Sequence, residues 1–252
     1  MSSITVQHVN DRVLTVGNPG LSIFSGSSGG AAATYQSKVL GYSPIAYWPL
    51  NDAAGTQATE LVNGWHGVSS NVTWGATGIG DGETAASFNG STSYIDLFSA
   101  ALAAAFDMDE ATVMMWVQMD QQQRAAIDGI FDFFDDSNNY FRSYKNANST
   151  DTYMFRNGSG TNVVGSFSGP TYTNWNCFAI TASVTADAQC YYVNGAVADT
   201  QDSGLAAAAD VIAYARVGRY RDNNFPMDGN LAHVALFDSA LSAATIADLA
   251  AL

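Results

Sequence analysis

The chain has 252 residues, 47% hydrophobic and only 13% charged, which leaves room for one large domain or one domain with a small extension. Its formal charge is −14, with nine Lys plus Arg against 23 Asp plus Glu, and this argues against nucleic acid as a partner because phosphate binding needs clustered cations. No apolar run approaches the length of about 18 residues that a spanning helix needs, so no membrane insertion is expected. Met1-Ser2-Ser3-Ile4 also lacks the basic and apolar regions of a secretory leader.

Residues 1–41 differ from the rest. Two short alternating stretches, SITVQHV and RVLTVG, lead into NPGLSIFSGSSGGAAATYQS, whose Gly and Ser clusters are linker composition. We read this segment as an extended N-terminal arm that makes assembly contacts, and residues 42–252 as the folded domain. An aromatic strand over residues 44–50 (PIAYWPL) opens it. A polar, Gly-punctuated loop over 60–67 follows. Residues 85–88 and 94–97 flank Asn89-Gly90-Ser91-Thr92, a hairpin signal. Residues 111–119 (ATVMMWVQM) read as an apolar strand central in its sheet.

The carboxylate-rich stretch 128–139 (DGIFDFFDDSNN) lacks the glycine and the terminal glutamate of an EF-hand loop, and its phenylalanines predict a strand running into a polar turn. Short strands are predicted over 140–144, 153–156 and 163–167, with turns between them in the all-β rhythm. The longest hairpin is 175–197, WNCFAITASVTADAQCYYVNGAV. Phe178, Ile180, Ala182 and Val184 alternate there with smaller or polar residues. Pairing Val184 with Gln189 sets Cys177 opposite Ala196 and Cys190 opposite Ser183, about 20 Å apart at about 3.4 Å per residue. That predicts two free thiols, as in a reducing cytoplasm. Strands over 215–218 and 231–237 come next. Only the end reads as helix, with Ser242 as N-cap and Ile246 and Leu249 on one face.

Candidate chemistry is sparse. His8, His66 and His233 are scattered, without a zinc-type spacing, and no nucleophile elbow or phosphate loop is present. Asp107, Asp109 and Glu110 precede the central strand rather than line it. Sugar sites pair an aromatic platform with nearby amide or carboxylate groups. Trp65, Trp74, Tyr220 and Phe225 lie in or next to predicted loops and are the candidate glycan-binding residues; packing in the core or at an edge is the competing role for each.

Several motifs in order resemble the laminin-G-like domains of the concanavalin A-like lectin/glucanase superfamily. They are Tyr47-Trp48-Pro49-Leu50-Asn51 with Gly55-Thr56, Asn63-Gly64 and Gly67; Phe88-Asn89-Gly90 with Tyr94-Ile95; Trp116-Val117; Trp175, Ala179 and Tyr192-Val193-Asn194-Gly195; then Val217-Gly218, Asp228-Gly229 and Ala240-Leu241-Ser242 with Ile246. The resemblance spans about residues 42–252. It implies an all-β, two-sheet antiparallel jelly-roll sandwich with a short C-terminal helix. Glucanases on this fold carry paired carboxylates on one strand in a pattern like E-x-D-x-x-E; this chain has no such stretch, so no catalytic residues are expected. Many relatives hold one Ca²⁺, the only cofactor the resemblance leaves open. Glu60 and Asn63 are the candidate metal ligands, although Ala232 and His233 replace acids of the family's closing motif.

Val13-Leu14-Thr15-Val16-Gly17 with Asn18-Pro19-Gly20 is loosely similar to the start of some bacteriophage tail-fibre and head-fibre proteins. Together these features give a first reading: a non-enzymatic virion surface component of a bacteriophage, a capsid decoration, fibre or tail protein assembled in the host cytoplasm. Its arm would contact other virion proteins, with a homotrimer as a candidate state, and its sandwich would face outward for adhesion or stabilisation, with a cell-surface glycan as candidate partner. The alternative is a free-standing carbohydrate-binding, lectin-like module.

Overall fold

The alternating pattern resolves into strands and short helices in the computed structural model, which describes residues 6–9, 12–15 and 34–252 apart from 202, 209 and 210. Val6–Val9 (β1) and Arg12–Thr15 (β2) pair antiparallel within the unit Met1–Thr34. The remainder of the expected arm up to residue 33 lies outside the described residues. The second unit is Tyr35–Leu252. It opens with helix α1, Tyr35–Gly41, so the compact unit begins at Tyr35 rather than Tyr42. Strands Ala46–Trp48 (β3), Gln57–Ala58 (β4), Gly67–Ser70 (β5), Thr73–Thr77 (β6), Thr84–Asn89 (β7) and Tyr94–Asp96 (β8) follow, then helix α2, Ala100–Ala105. Longer strands come next: Glu110–Met119 (β9), Asp128–Asp136 (β10), Asn139–Lys145 (β11), Asp151–Gly158 (β12), Thr161–Ser168 (β13), Asn176–Ser183 (β14) and Ala188–Val193 (β15). Ala196–Gln201 (β16), Tyr214–Val217 (β17), Asp228–Phe237 (β18) and helix α3, Ala243–Leu249, complete the chain.

These elements form two antiparallel sheets, the sandwich expected from the sequence. Sheet one runs β13-β12-β11-β10-β17-β8-β5-β4, and sheet two runs β16-β15-β14-β9-β18-β7-β6 with β3 beside part of β18. Phe133, Phe141 and Met154 of sheet one share the interior with Met115, Phe178 and Ile180 of sheet two. A second apolar cluster lies on the other side of sheet two. Tyr35 and Val39 of α1 and Ile246 and Leu249 of α3 pack there with Tyr47, Met114, Trp116 and Ala235. The central strands of sheet two are therefore buried on both faces, and this is why β9 reads as a continuous apolar run at the sheet centre, between β14 and β18.

Some local expectations need correction. The segment around Asn89-Gly90 is not a hairpin, because β7 belongs to sheet two and β8 to sheet one. Asn89 Oδ1 accepts from the N–H groups of Ser91, Thr92 and Ser93, and this Asx-type turn carries the chain between sheets. The β14–β15 register pairs Ala182, not Val184, with Gln189. The turn keeps four residues but begins one residue earlier, at Val184 after the Ser183–Ala188 pair, and is closed by Asp187 N–H on Val184 O. A two-residue slip leaves every side chain on its predicted face. Cys190 now faces Thr181, and Cys177 O accepts from Asn194 N–H. Four ladder steps, about 14 Å, still separate the thiols, and both cysteines are free. Helix is also more frequent than the sequence indicated. α3 has its Ser242 cap, and α2 has a cap of its own, Ser99 Oγ accepting from Leu102 N–H.

Candidate functional site

Among the described residues, no helix-borne cluster like that on sheet two lies on the outer face of sheet one. Side chains in register point to one face, and one such row crosses all eight strands: Val164, Phe155, Arg142, Asp132, Arg216, Asp96, Val68 and Gln57. Ser166, Tyr153 and Tyr144 form a row on one side of it, and Asn162, Asn157, Tyr140, Phe134 and Tyr214 one on the other. The face is thus rich in aromatic and guanidinium groups. Within it, Tyr144 lies 5.3 Å from Tyr153 and 5.4 Å from Phe155, centroid to centroid, and all three rings are half-buried.

The centre of the row is electrostatic. Asp132 is fully buried. Its carboxylate lies 3.2 Å from Arg142 Nε and 3.3 Å from Arg221 Nη1, and it also accepts from the Arg221 backbone N–H at 3.2 Å. Burying a carboxylate without such partners would cost several kcal/mol. The guanidiniums also stack on rings: Arg142 sits 3.8 Å over Tyr140, Arg221 3.1 Å over Phe134 and Arg216 4.2 Å over Tyr94.

The β17–β18 connection folds onto this face. Tyr220 and Phe225 meet edge to face at 5.2 Å, and each lies 6.3 Å from Tyr144. Asn223 and Phe225 adopt positive φ of 64° and 54°, a conformation that costs a side-chain-bearing residue about 1–2 kcal/mol. The surroundings hold it. Arg216 Nη1 donates to Tyr220 O and Arg221 O, Arg219 Nε donates to Asn223 O at 2.8 Å, and Gly129 N–H donates to Phe225 O at 2.8 Å. Position 129 must be glycine, since a Cβ there would stand 2.7 Å from Phe225 O. Burial raises the Tyr220 and Tyr144 hydroxyl pKa values, so both remain protonated at neutral pH.

The sequence-predicted residues separate. Tyr220 and Phe225 belong to this face. Trp65 packs against the interior cluster, and its carbonyl accepts from Trp48 Nε1. Trp74 sits on β6 of sheet two, where Nε1 donates to Gly55 O at 2.9 Å. Glu60 is buried, with Oε1 accepting from Tyr47 and Val62 N–H and Oε2 from Asn63 and Trp65 N–H. Asn63 Nδ2 donates to Ile45 O. These groups anchor the loop. The donors aimed at Glu60 would repel a cation, so the pair does not fit Ca²⁺. Among the described residues, no group of three His, Cys, Asp or Glu gathers for a metal. Asp109 pairs with buried Arg156, and Glu110 Oε1 accepts from Ser183 Oγ and Thr185 N–H, so both brace the strand start.

Sequence reasoning passed over Tyr144, Tyr153, Phe155 and Arg142. Their signal was present in β11 (NYFRSYK), which sets Tyr140, Arg142 and Tyr144 on one face, and in β12, which sets Tyr153 and Phe155 beside them.

A family model for laminin-G-type domains, described as concanavalin A-like lectin/glucanases superfamily, matches residues 89–247. The chain belongs to this superfamily. The matched span includes every strand of the eight-residue row except β5 and β4. No curated protein matches the chain. Solved structures share the superfamily's sandwich at low identity. Domain 4 of AbnA, an extracellular arabinanase from Geobacillus stearothermophilus, in complex with arabinotriose, is 18% identical with a TM-score of 0.58, covering 82% of this chain and 98% of that one. The CBM40 of the Ruminococcus gnavus IT-sialidase, bound to α2,3-sialyllactose, is 15% identical with a TM-score of 0.55, covering 66% and 96%. Botulinum neurotoxin type C, whose cell entry is described as dependent upon interaction with two ganglioside molecules, is 11% identical with a TM-score of 0.64. There the match covers 84% of this chain and 51% of the toxin chain.

Proposed function

We propose that the chain is a non-enzymatic carbohydrate-binding module that seats a sugar on Tyr144, Tyr153 and Phe155. The observation that carries this reading is the half-buried ring platform on the outer face of sheet one, its rings 5.3–6.2 Å apart and flanked by the Tyr220–Phe225 loop. Aromatic rings offer apolar surface to sugar C–H groups, and the neighbouring hydroxyl and guanidinium groups offer hydrogen bonds to sugar oxygens. The central carboxylate, Asp132, is held by two guanidiniums and is not poised to move a proton. Two structural neighbours in complex with arabinotriose and sialyllactose, and a toxin whose cell entry depends upon gangliosides, support the reading. A glycan array probed with the full chain and with Tyr153→Ala tests it. Binding that the variant loses is expected; an array without binding would overturn the reading.

The separation of Met1–Thr34 as its own unit favours a wider second reading, in which that segment attaches the module to a larger assembly such as a virion. Light scattering of the full chain against a chain starting at Tyr35 tests it. Assembly of the full chain alone is expected, and identical monomers would sink the idea.

A further inference from the structure

In a chain with 23 acidic and nine basic residues, every cation has carboxylates to choose from. The described lysines and arginines use them. Lys38, Arg124, Arg142, Lys145, Arg156, Arg216 and Arg221 each lie within 4 Å of a carboxylate oxygen. Among the lysines and arginines whose side chains are described, Arg219 alone has no such partner. It is half-buried and in the chain directly precedes Tyr220, whose ring lies 6.3 Å from that of the platform residue Tyr144. Its Nε and Nη2 both donate to one backbone oxygen, that of Asn223, which fixes the guanidinium plane. A guanidinium has five N–H donors, so this clamp leaves others for a ligand. Arg221, two residues on, sends Nη1 to Asp132 while its guanidinium lies over the Phe134 ring.

We infer that Arg219 receives the carboxylate of an acidic sugar whose ring rests on the aromatic platform. This rests on the carbohydrate-binding reading and names the class of sugar within it. A planar, pre-oriented guanidinium matches a carboxylate in geometry as well as charge. The chain's net charge of −14 sets a limit on the ligand. A densely charged polyanion is repelled by the molecule as a whole, whereas a glycan with one carboxylate meets mainly the local arginine. The ligand is therefore a sialic- or uronic-acid-terminated oligosaccharide rather than a sulfated polymer.

The test uses matched oligosaccharides, sialylated or uronate-terminated, beside their neutral parents. They are titrated calorimetrically into the full chain, Arg219→Gln, Tyr153→Ala and Phe155→Ala. Loss of one charge-assisted contact predicts at least about a tenfold preference for the acidic member. Arg219→Gln should abolish that preference while the neutral parent still binds; any fall in melting temperature reports the clamp on Asn223 O that the guanidinium also supplies. Equal binding of both members, unaffected by Arg219→Gln but lost in Tyr153→Ala, would overturn the acidic-sugar inference and leave the carbohydrate reading standing. Absence of binding to any member would overturn both.

Discussion

The two outer faces of the sandwich show how similar strands meet opposite demands. On sheet two, α1 and α3 cover Tyr47, Met114, Trp116 and Ala235. The strands beneath are apolar on both sides, and β14 is buried at all eight positions. On sheet one, β11 alternates buried and half-buried residues along its length. Its outward positions hold rings and guanidiniums rather than the small polar residues that solvent alone would accept. A covered face tells of stability, whereas an uncovered face that stays aromatic at a cost in solubility points to a ligand.

The largest effect that would sharpen this contrast lies on the covered face. Trp116 is buried, and its Nε1 donates to Tyr35 Oη at 2.7 Å. Trp116→Ala should cost about 3–5 kcal/mol in denaturant unfolding. If the loss is below about 1 kcal/mol, α1 is not part of the cooperative unit.

Acid should act through the same face. Tyr47 Oη lies 2.6 Å from His233 Nδ1, and Asp81 Oδ2 lies 3.0 Å from His233 Nε2. A carboxylate only accepts, so Nε2 carries the proton and Nδ1 accepts from Tyr47. Tyr35 stacks edge-on at 4.7 Å, and Glu83 adds a second nearby carboxylate. Burial outweighs both acids and lowers the His233 pKa from 6.5 to about 4. The unfolded chain therefore binds the proton first as pH falls. The stability held by neutral His233 is complete above pH 6.5 and drains away between 6.5 and about 4, by about 3 kcal/mol. Denaturant midpoints taken across that range should show the slope, and His233→Gln should flatten it.

On the open face the balance reverses. Tyr153→Ala should cost under about 1 kcal/mol in stability, yet weaken sugar binding about tenfold or more. A large stability loss without a binding change would return Tyr153 to a packing role. The smallest effect is expected at the far end of the row. Val68 is 61% exposed, so Val68→Thr should change stability by under about 0.5 kcal/mol and leave binding unchanged.

Residue patterns alone determined the strands of the interior. Alternation in 178–184, the apolar run at 111–119 and the left-handed Asn194-Gly195 turn, with φ of 51° and 80°, are local signals set by backbone sterics and burial. They survived the register slip because an even shift preserves facing. The identity of the candidate site did not follow from such signals. The aromatics sought in loops divided, with Trp65 and Trp74 drawn into packing and Tyr220 and Phe225 onto the sheet. Glu60 has the side chain of a cation ligand, but four backbone N–H groups occupy its oxygens. Alternation reveals that Tyr144 and Phe155 face away from the interior, but not whether a helix covers them. Only the tertiary structure decided that α1 and α3 settle on sheet two rather than on sheet one, because which face they cover depends on contacts between segments some 200 residues apart, such as Tyr35 Oη donating to Leu249 O across a sequence separation of 214.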